Sequence, residues 1–188
     1  MAHKTISDDE MMLRALDLFR TYGFHGVSLK QLADSMGLEK ASLYYRFPGG
    51  KDEIALAVVR AVDAGVRQNI FQILAKQSVS PKRRVQLACD ELRQFYRGGT
   101  KSCTLDVMSI PGSTDAIRKV LQKTLQDWTD AFARVAVEAG LTSVQARTSA
   151  EEAIMLLEGA LVISRVQGTG VTFERVLKQL PNLLSKSC

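Results

Sequence analysis

Ser28-Leu-Lys-Gln31-Leu-Ala-Asp-Ser-Met-Gly37-Leu-Glu-Lys40-Ala-Ser-Leu-Tyr44-Tyr-Arg-Phe47-Pro-Gly-Gly-Lys51-Asp-Glu-Ile54 is the stretch from which the fold is read. It opens with a capping box. The Ser28 hydroxyl can cap the first free amides, and Gln31 three residues on can reach back. Leu29, Leu32, Ala33 and Met36 then recur at helical spacing, and the run stops at Gly37. A second short helix, Glu39 to Arg46, follows after a turn of roughly three residues. Glycine suits the centre of that turn because it accepts positive φ. Leu32, Ala33, Leu38, Leu43 and Phe47 form the expected buried wedge between the two helices. The spacing predicts a helix-turn-helix.

The outward face of the second helix carries the chemistry. With Leu43 and Phe47 inward, Ala41, Ser42 and Tyr45 point away, and Tyr44 flanks them. No acidic residue lies between Lys40 and Lys51, and Arg46 adds a third cation. A Leu-Tyr-Tyr cluster met alone is commonly core. Here cations flank it on both sides and the helix is too short to bury every face. One small residue, a hydroxyl, two phenols and three cations can press into a groove, touch base edges and grip phosphates. Lys51 and the free amides at the start of the next helix form an expected anion site.

Outward from this stretch the pattern stays helical. Ser7-Asp-Asp-Glu10 reads as another capping box, followed by one face of Met12, Ala15, Leu16, Phe19 and Tyr22. Gly23 and Gly26 interrupt the chain around Phe24 and His25; the histidine reads as turn or surface rather than metal ligand. Lys51-Asp-Glu starts a long helix expected to reach about Gln77. Ser80-Pro81 begins another, since proline suits a first turn. Residues 98–114 read as a loop with one short helical turn. A regular stripe from Ile117 to Ala136 includes Leu121, Leu125 and Trp128. Thr142-Ser-Val-Gln145 is a third capping box, opening a helix that ends near Gly168. A final helix from Thr172 is expected to kink or end at Pro181. The expected architecture is all-α. A helix-turn-helix domain over residues 1–50 precedes a helical ligand-binding and dimerisation domain over 51–188.

Bulk properties narrow the function. The chain has 188 residues, 46% of them hydrophobic, and a net charge of +5, which permits a polyanionic partner without demanding one. No apolar run reaches the length of a membrane span, and the start lacks a signal-peptide stretch. The expectation is a cytoplasmic protein with no membrane partner. Cys89, Cys103 and Cys188 have neither zinc-knuckle nor CxxC spacing, so free thiols and no metal site are expected. There is no paired Glu-x-x-His motif, nucleophile elbow or phosphate-binding glycine loop. The chain is therefore not expected to be an enzyme or to hold a cofactor.

Residues 28–54 resemble the signature of the tetracycline-repressor (TetR) family, above all in Leu43-Tyr44-Tyr45-Arg46-Phe47 and Lys51-Asp-Glu. The Phe-Pro-Gly-Gly-Lys loop looks like the drug-responsive repressor branch of that family. Glu39 and Arg46 stand where Ser and His are commoner; Glu39 could cap its helix or accept from a cytosine amino group, and Arg46 could add a phosphate contact. The resemblance implies DNA contact by Ser28, Lys40, Ala41, Ser42, Tyr44, Tyr45, Arg46 and Lys51. It also implies a homodimer on a near-palindromic double-stranded operator, with half-sites about 34–36 Å apart. Repression would be relieved by a small hydrophobic or aromatic effector, with the helix from Lys51 as lever. Cys103, Leu105, Met108, Leu121, Leu125, Trp128 and Met155 are the expected effector-site residues. Leu156, Gly159, Ala160, Ile163, Val176 and Leu180 are the expected dimer residues. Two rival readings are a DNA-binding regulator without an effector and a helical ligand carrier without DNA activity.

Overall fold

The structure is a computed structural model that describes residues 6–186; Cys188 and the tail histidine His3 lie outside them. The described residues are helical, with no strand among them. Packing divides the chain into two compact units. One holds the residues up to Asp63 together with Thr104–Leu121; the other holds Ala64–Cys103 and the residues from Gln122 onward. The expected boundary after residue 50 falls in the first turn of a helix inside the first unit.

The first unit begins with α1 (Asp8–Gly26). Ser7 caps it, accepting from the Glu10 amide at 3.3 Å. The reciprocal half of the expected box is missing. Glu10 turns instead to Arg14, at 2.8 Å one helical turn on. The buried face is Met11, Ala15, Leu16 and Phe19, so Met11 replaces the expected Met12. Tyr22, expected on that face, is 55% exposed. Gly23 leaves helical geometry at φ 70°, and Phe24 beyond it is buried.

α2 (Leu29–Met36) carries the predicted capping box complete. It ends at Gly37, φ 65°, where the Leu38 amide reaches back to the Ala33 carbonyl at 2.9 Å. This left-handed cap closes the helix without a side-chain clash. α3 (Lys40–Arg46) follows, with Leu43 and Phe47 buried beneath it as expected and Leu38 only half-buried. α4 (Gly50–Val66) starts with Gly50 at φ 65°, its amide bonded to the Phe47 carbonyl at 2.9 Å. α6 (Thr104–Met108) packs against α1. The start of α7 (Asp115–Glu138) belongs to the same unit. Of the segment read as a loop with one helical turn, residues 104–114 are thus part of the body that carries the helix-turn-helix, and residues 98–103 belong to the second unit.

In the second unit α4 does not run on as plain α-helix. Arg67–Phe71 is π-helical, and a last α-turn, Gln72–Leu74, ends it short of the expected Gln77. Val66, Ile70 and Leu74 are all buried at intervals of four. A regular α-helix drifts about 40° at each such step. The wider turn holds the three side chains nearer one face. α5 (Pro81–Phe95) has its proline in the first turn as predicted. α8 (Ser143–Gln167) opens with the predicted Thr142–Gln145 box and closes at Gly168, φ 66°. α9 (Val171–Leu183) packs on α8 and α5. It continues through Pro181 rather than ending there. The missing amide falls in the last turn, where one lost hydrogen bond costs little continuity.

Candidate DNA-reading surface

α3 stands at the surface on a narrow buried keel. Leu43 and Phe47 hold it down, while Lys40, Ala41, Ser42, Tyr44, Tyr45 and Arg46 are exposed. Tyr45 is the extreme case at 92%. A phenol held that far into water by its own helix has no packing role in the protomer. Lys40 lies 6.0 Å above the Tyr44 ring, which keeps charge and aromatic face together. Glu39 starts the helix and makes no side-chain cap, the first of its two expected roles. Arg46 is joined to Asp8 at the start of α1 and stacks over Phe47 at 6.0 Å.

The two flanks are more constrained than the sequence suggests. Ser28 is exposed, but its hydroxyl is engaged with Gln31. Lys51 is half-buried. Its Nζ donates to the Val27 carbonyl at 3.0 Å and sits 4.9 Å over the Phe24 ring. An ammonium has three protons, so two remain after that bond. The expected anion site at the start of α4 is partly filled by the chain itself. Glu53 accepts from the Gly49 amide at 2.7 Å, placing a carboxylate at the positive helix end. The sequence places Asp52 and Glu53 where acidic groups favour the positive helix start, and both stand in the first turn of α4.

The expected effector residues are divided between the units: Leu105, Met108 and Leu121 in the first, Cys103, Leu125, Trp128 and Met155 in the second. Within the second unit Trp128 is buried edge-on to Phe71 at 5.1 Å and beside Phe132 at 5.2 Å. The π-helical turn supplies Phe71. Cys103 is buried and accepts from the Tyr96 hydroxyl at 3.3 Å. Burial pushes the Cys89 thiol up to about 12, so that sulfur stays protonated at neutral pH. Leu125 and Met155 are exposed.

The expected dimer residues also separate. Ala160, Val176 and Leu180 are spent inside the protomer core, so they are not available to a partner as surface. Leu156 and Gly159 are half-buried, and Ile163 is exposed. The face of α8 left open is instead Met155, Gly159, Val162, Ile163 and Val166, with Val166 at 84%. These positions follow helical spacing, so the signal was present in the sequence. Gly159 has no atom near the place a side chain would occupy.

Comparison with known proteins agrees with this arrangement. Residues 13–58 match the family described as bacterial regulatory proteins, tetR family. Residues 81–179, more than half of the chain, match the C-terminal domain of LmrA/YxaF-like transcriptional regulators. The HTH-type transcriptional regulator LmrA of Bacillus subtilis is 24% identical over 96% of this chain and 97% of its own length. RutR of Escherichia coli is 44% identical over 48 residues, 26% of this chain and 22% of its own. A TetR transcriptional regulator from Legionella pneumophila superposes with a TM-score of 0.83 at 21% identity, covering 96% of this chain and 98% of that one. Reduced NemR of Escherichia coli gives 0.77 at 19% identity, covering 96% and 98%. A helix-turn-helix at the start and an LmrA/YxaF-like helical domain after it lead to one conclusion: the chain is a DNA-binding regulator and belongs to the TetR family of transcriptional regulators.

Proposed function

We propose that the chain is a homodimeric repressor that leaves a near-palindromic operator when a small apolar or aromatic ligand binds. The observation that carries this reading is the outward face of α3. It holds Lys40, Ser42, Tyr44 and Tyr45 in solvent on a buried Leu43–Phe47 keel, with no acid among them. Ala41 lets the helix approach a groove closely. Ser42 and Tyr45 read base edges, and Lys40, Ser28 and the spare protons of Lys51 take phosphates. Arg46, joined to Asp8 through Nη2, keeps further N–H donors for a phosphate. A second copy of the chain covers the apolar stripe of α8, and two-fold symmetry then sets two recognition helices on successive major grooves. The aromatic group of Trp128, Phe71 and Phe132 supports a ligand of apolar or aromatic class in the helical domain.

The test is selection of duplexes from a random pool by the full chain. The expected product is a two-fold sequence with half-sites one helical turn apart, bound by a dimer in sedimentation. Enrichment of a single half-site by a monomer would overturn the reading. For the effector arm, hydrophobic aromatic compounds are titrated while Trp128 fluorescence and operator release are followed together. Quenching with unchanged operator affinity removes the regulatory claim.

A further inference from the structure

The geometry points to His25 as a positioning residue of the DNA-reading surface: it ties the α6–α7 loop to the aromatic ring on which Lys51 rests. This deepens the reading that Lys51 contacts DNA and rests on it. All the groups concerned lie within the first compact unit.

The chain of contacts is short. His25 Nε2 lies 2.8 Å from the Pro111 carbonyl. A carbonyl only accepts, so Nε2 carries the proton. The imidazole meets the buried Phe24 ring edge-on at 5.3 Å. Phe24 also stacks on Phe19 at 6.1 Å and lies under the Lys51 ammonium at 4.9 Å. Lys51 in turn donates to the carbonyl of Val27, the residue before the Ser28 cap of α2. Four contacts therefore lead from the loop to the start of the helix-turn-helix.

The loop end of this chain is a built platform. Ser109 bonds back to Leu105 at 3.0 Å and Ser113 to Ile110 at 3.2 Å through their amides. The Ser113 hydroxyl donates to the Met108 carbonyl, and Arg118 donates to the Ser113 carbonyl at 2.6 Å. Gly112 faces the imidazole with φ 96°, and a Cβ there would lie 2.9 Å from His25 Cε1. The missing side chain is what lets the ring lie against the loop. His25 is otherwise an exposed residue at a helix end, where nothing in the packing of the helix-turn-helix calls for a histidine.

The experiment uses the full chain and a duplex enriched by the unmodified protein from a random pool. His25→Ala is expected to weaken binding roughly three- to tenfold, the range of one net hydrogen bond, while helix content is kept. His25→Gln, which restores an N–H donor, should recover most of the loss. In a Lys51→Met background the His25→Ala effect should largely disappear, because the two act through one contact. Gly112→Ala displaces the ring with His25 intact, and it replaces His25→Ala in the cycle if that variant does not fold. Wild-type affinity in His25→Ala, a melting loss with no binding loss, or a loss that persists undiminished with Lys51→Met would each overturn the positioning role. Full binding by Lys51→Met alone would overturn the Lys51 contact as well, and is told apart by that single variant.

Discussion

Arg84 and Glu138 make an ion pair whose two ends sit in different surroundings. Arg84 is 2% exposed and also donates to the Leu74 carbonyl at 2.7 Å, whereas the Glu138 side chain is 40% exposed. Removing Glu138 strands a buried cation, which costs roughly 3–5 kcal/mol. Removing Arg84 leaves a carboxylate that water can reach. Glu138→Leu should therefore destabilise the protein more than Arg84→Met, although Glu138 is the more exposed residue; urea midpoints of the two variants decide the order. Asp127 gives a pH counterpart. Burial works to raise its carboxyl, but hydrogen bonds from Lys123 and Arg67 outweigh burial and hold it below the usual aspartate range. A depressed folded value means stability that is present above the unfolded value near 3.9 and lost as pH falls through the folded one. Asp127→Asn should be less stable than the parent at pH 7, with the gap closing below about pH 4. At this scale the sequence shows residue types but not commitments. Lys51 was legible as a cation near a helix start; that the Val27 carbonyl claims it depends on atoms brought close only by folding.

Elements were more legible, because capping and periodicity act within a few residues. The Ser28 and Thr142 boxes, the Gly37 cap and the proline start of α5 all follow from local chemistry. What local chemistry leaves open is which of two apolar faces meets the core and which stays free. Ala160, Val176 and Leu180 fit an interface by composition, yet the packing of α9 on α8 buries them, while Met155, Val162 and Val166 are left outside. The α8–α9 turn also meets the 3₁₀ turn at Arg97–Gly99 at backbone distance. A Cβ on Gly170 would lie 1.9 Å from the Gly98 carbonyl oxygen, and one on Gly99 would lie 2.6 Å from Phe173 Cβ. Backbone cannot swing aside as a long side chain can. Gly170→Ala should shift or unfold the turn and lower the melting temperature sharply. Gly159→Ala, which meets nothing, should keep the protomer's melting temperature or raise it, since alanine is favoured over glycine by about 0.8–1 kcal/mol in a helix.

For the whole molecule the decisive quantity is the apolar stripe of α8. Ile163 sits at its centre, 45% exposed. Ile163→Glu puts a charge where the proposed dimer would bury it. The variant should sediment as a monomer at micromolar concentration with unchanged helix content. It should also lose most of its affinity for a two-fold operator, because the half-sites are no longer held together. An unmodified dimer that survives this substitution would move the interface elsewhere. The π-helical turn at Arg67–Phe71 bears on how this chain is compared with its relatives. Such a turn is an α-helix carrying one extra residue. A relative that keeps both ends of α4 in register but lacks the turn is one residue shorter there. The gap in any alignment then belongs within residues 67–71. Moved into the exposed loop near Ser78, it would pair Phe71 and Leu74 with the wrong partners and hide the aromatic contact to Trp128 from any count of shared positions.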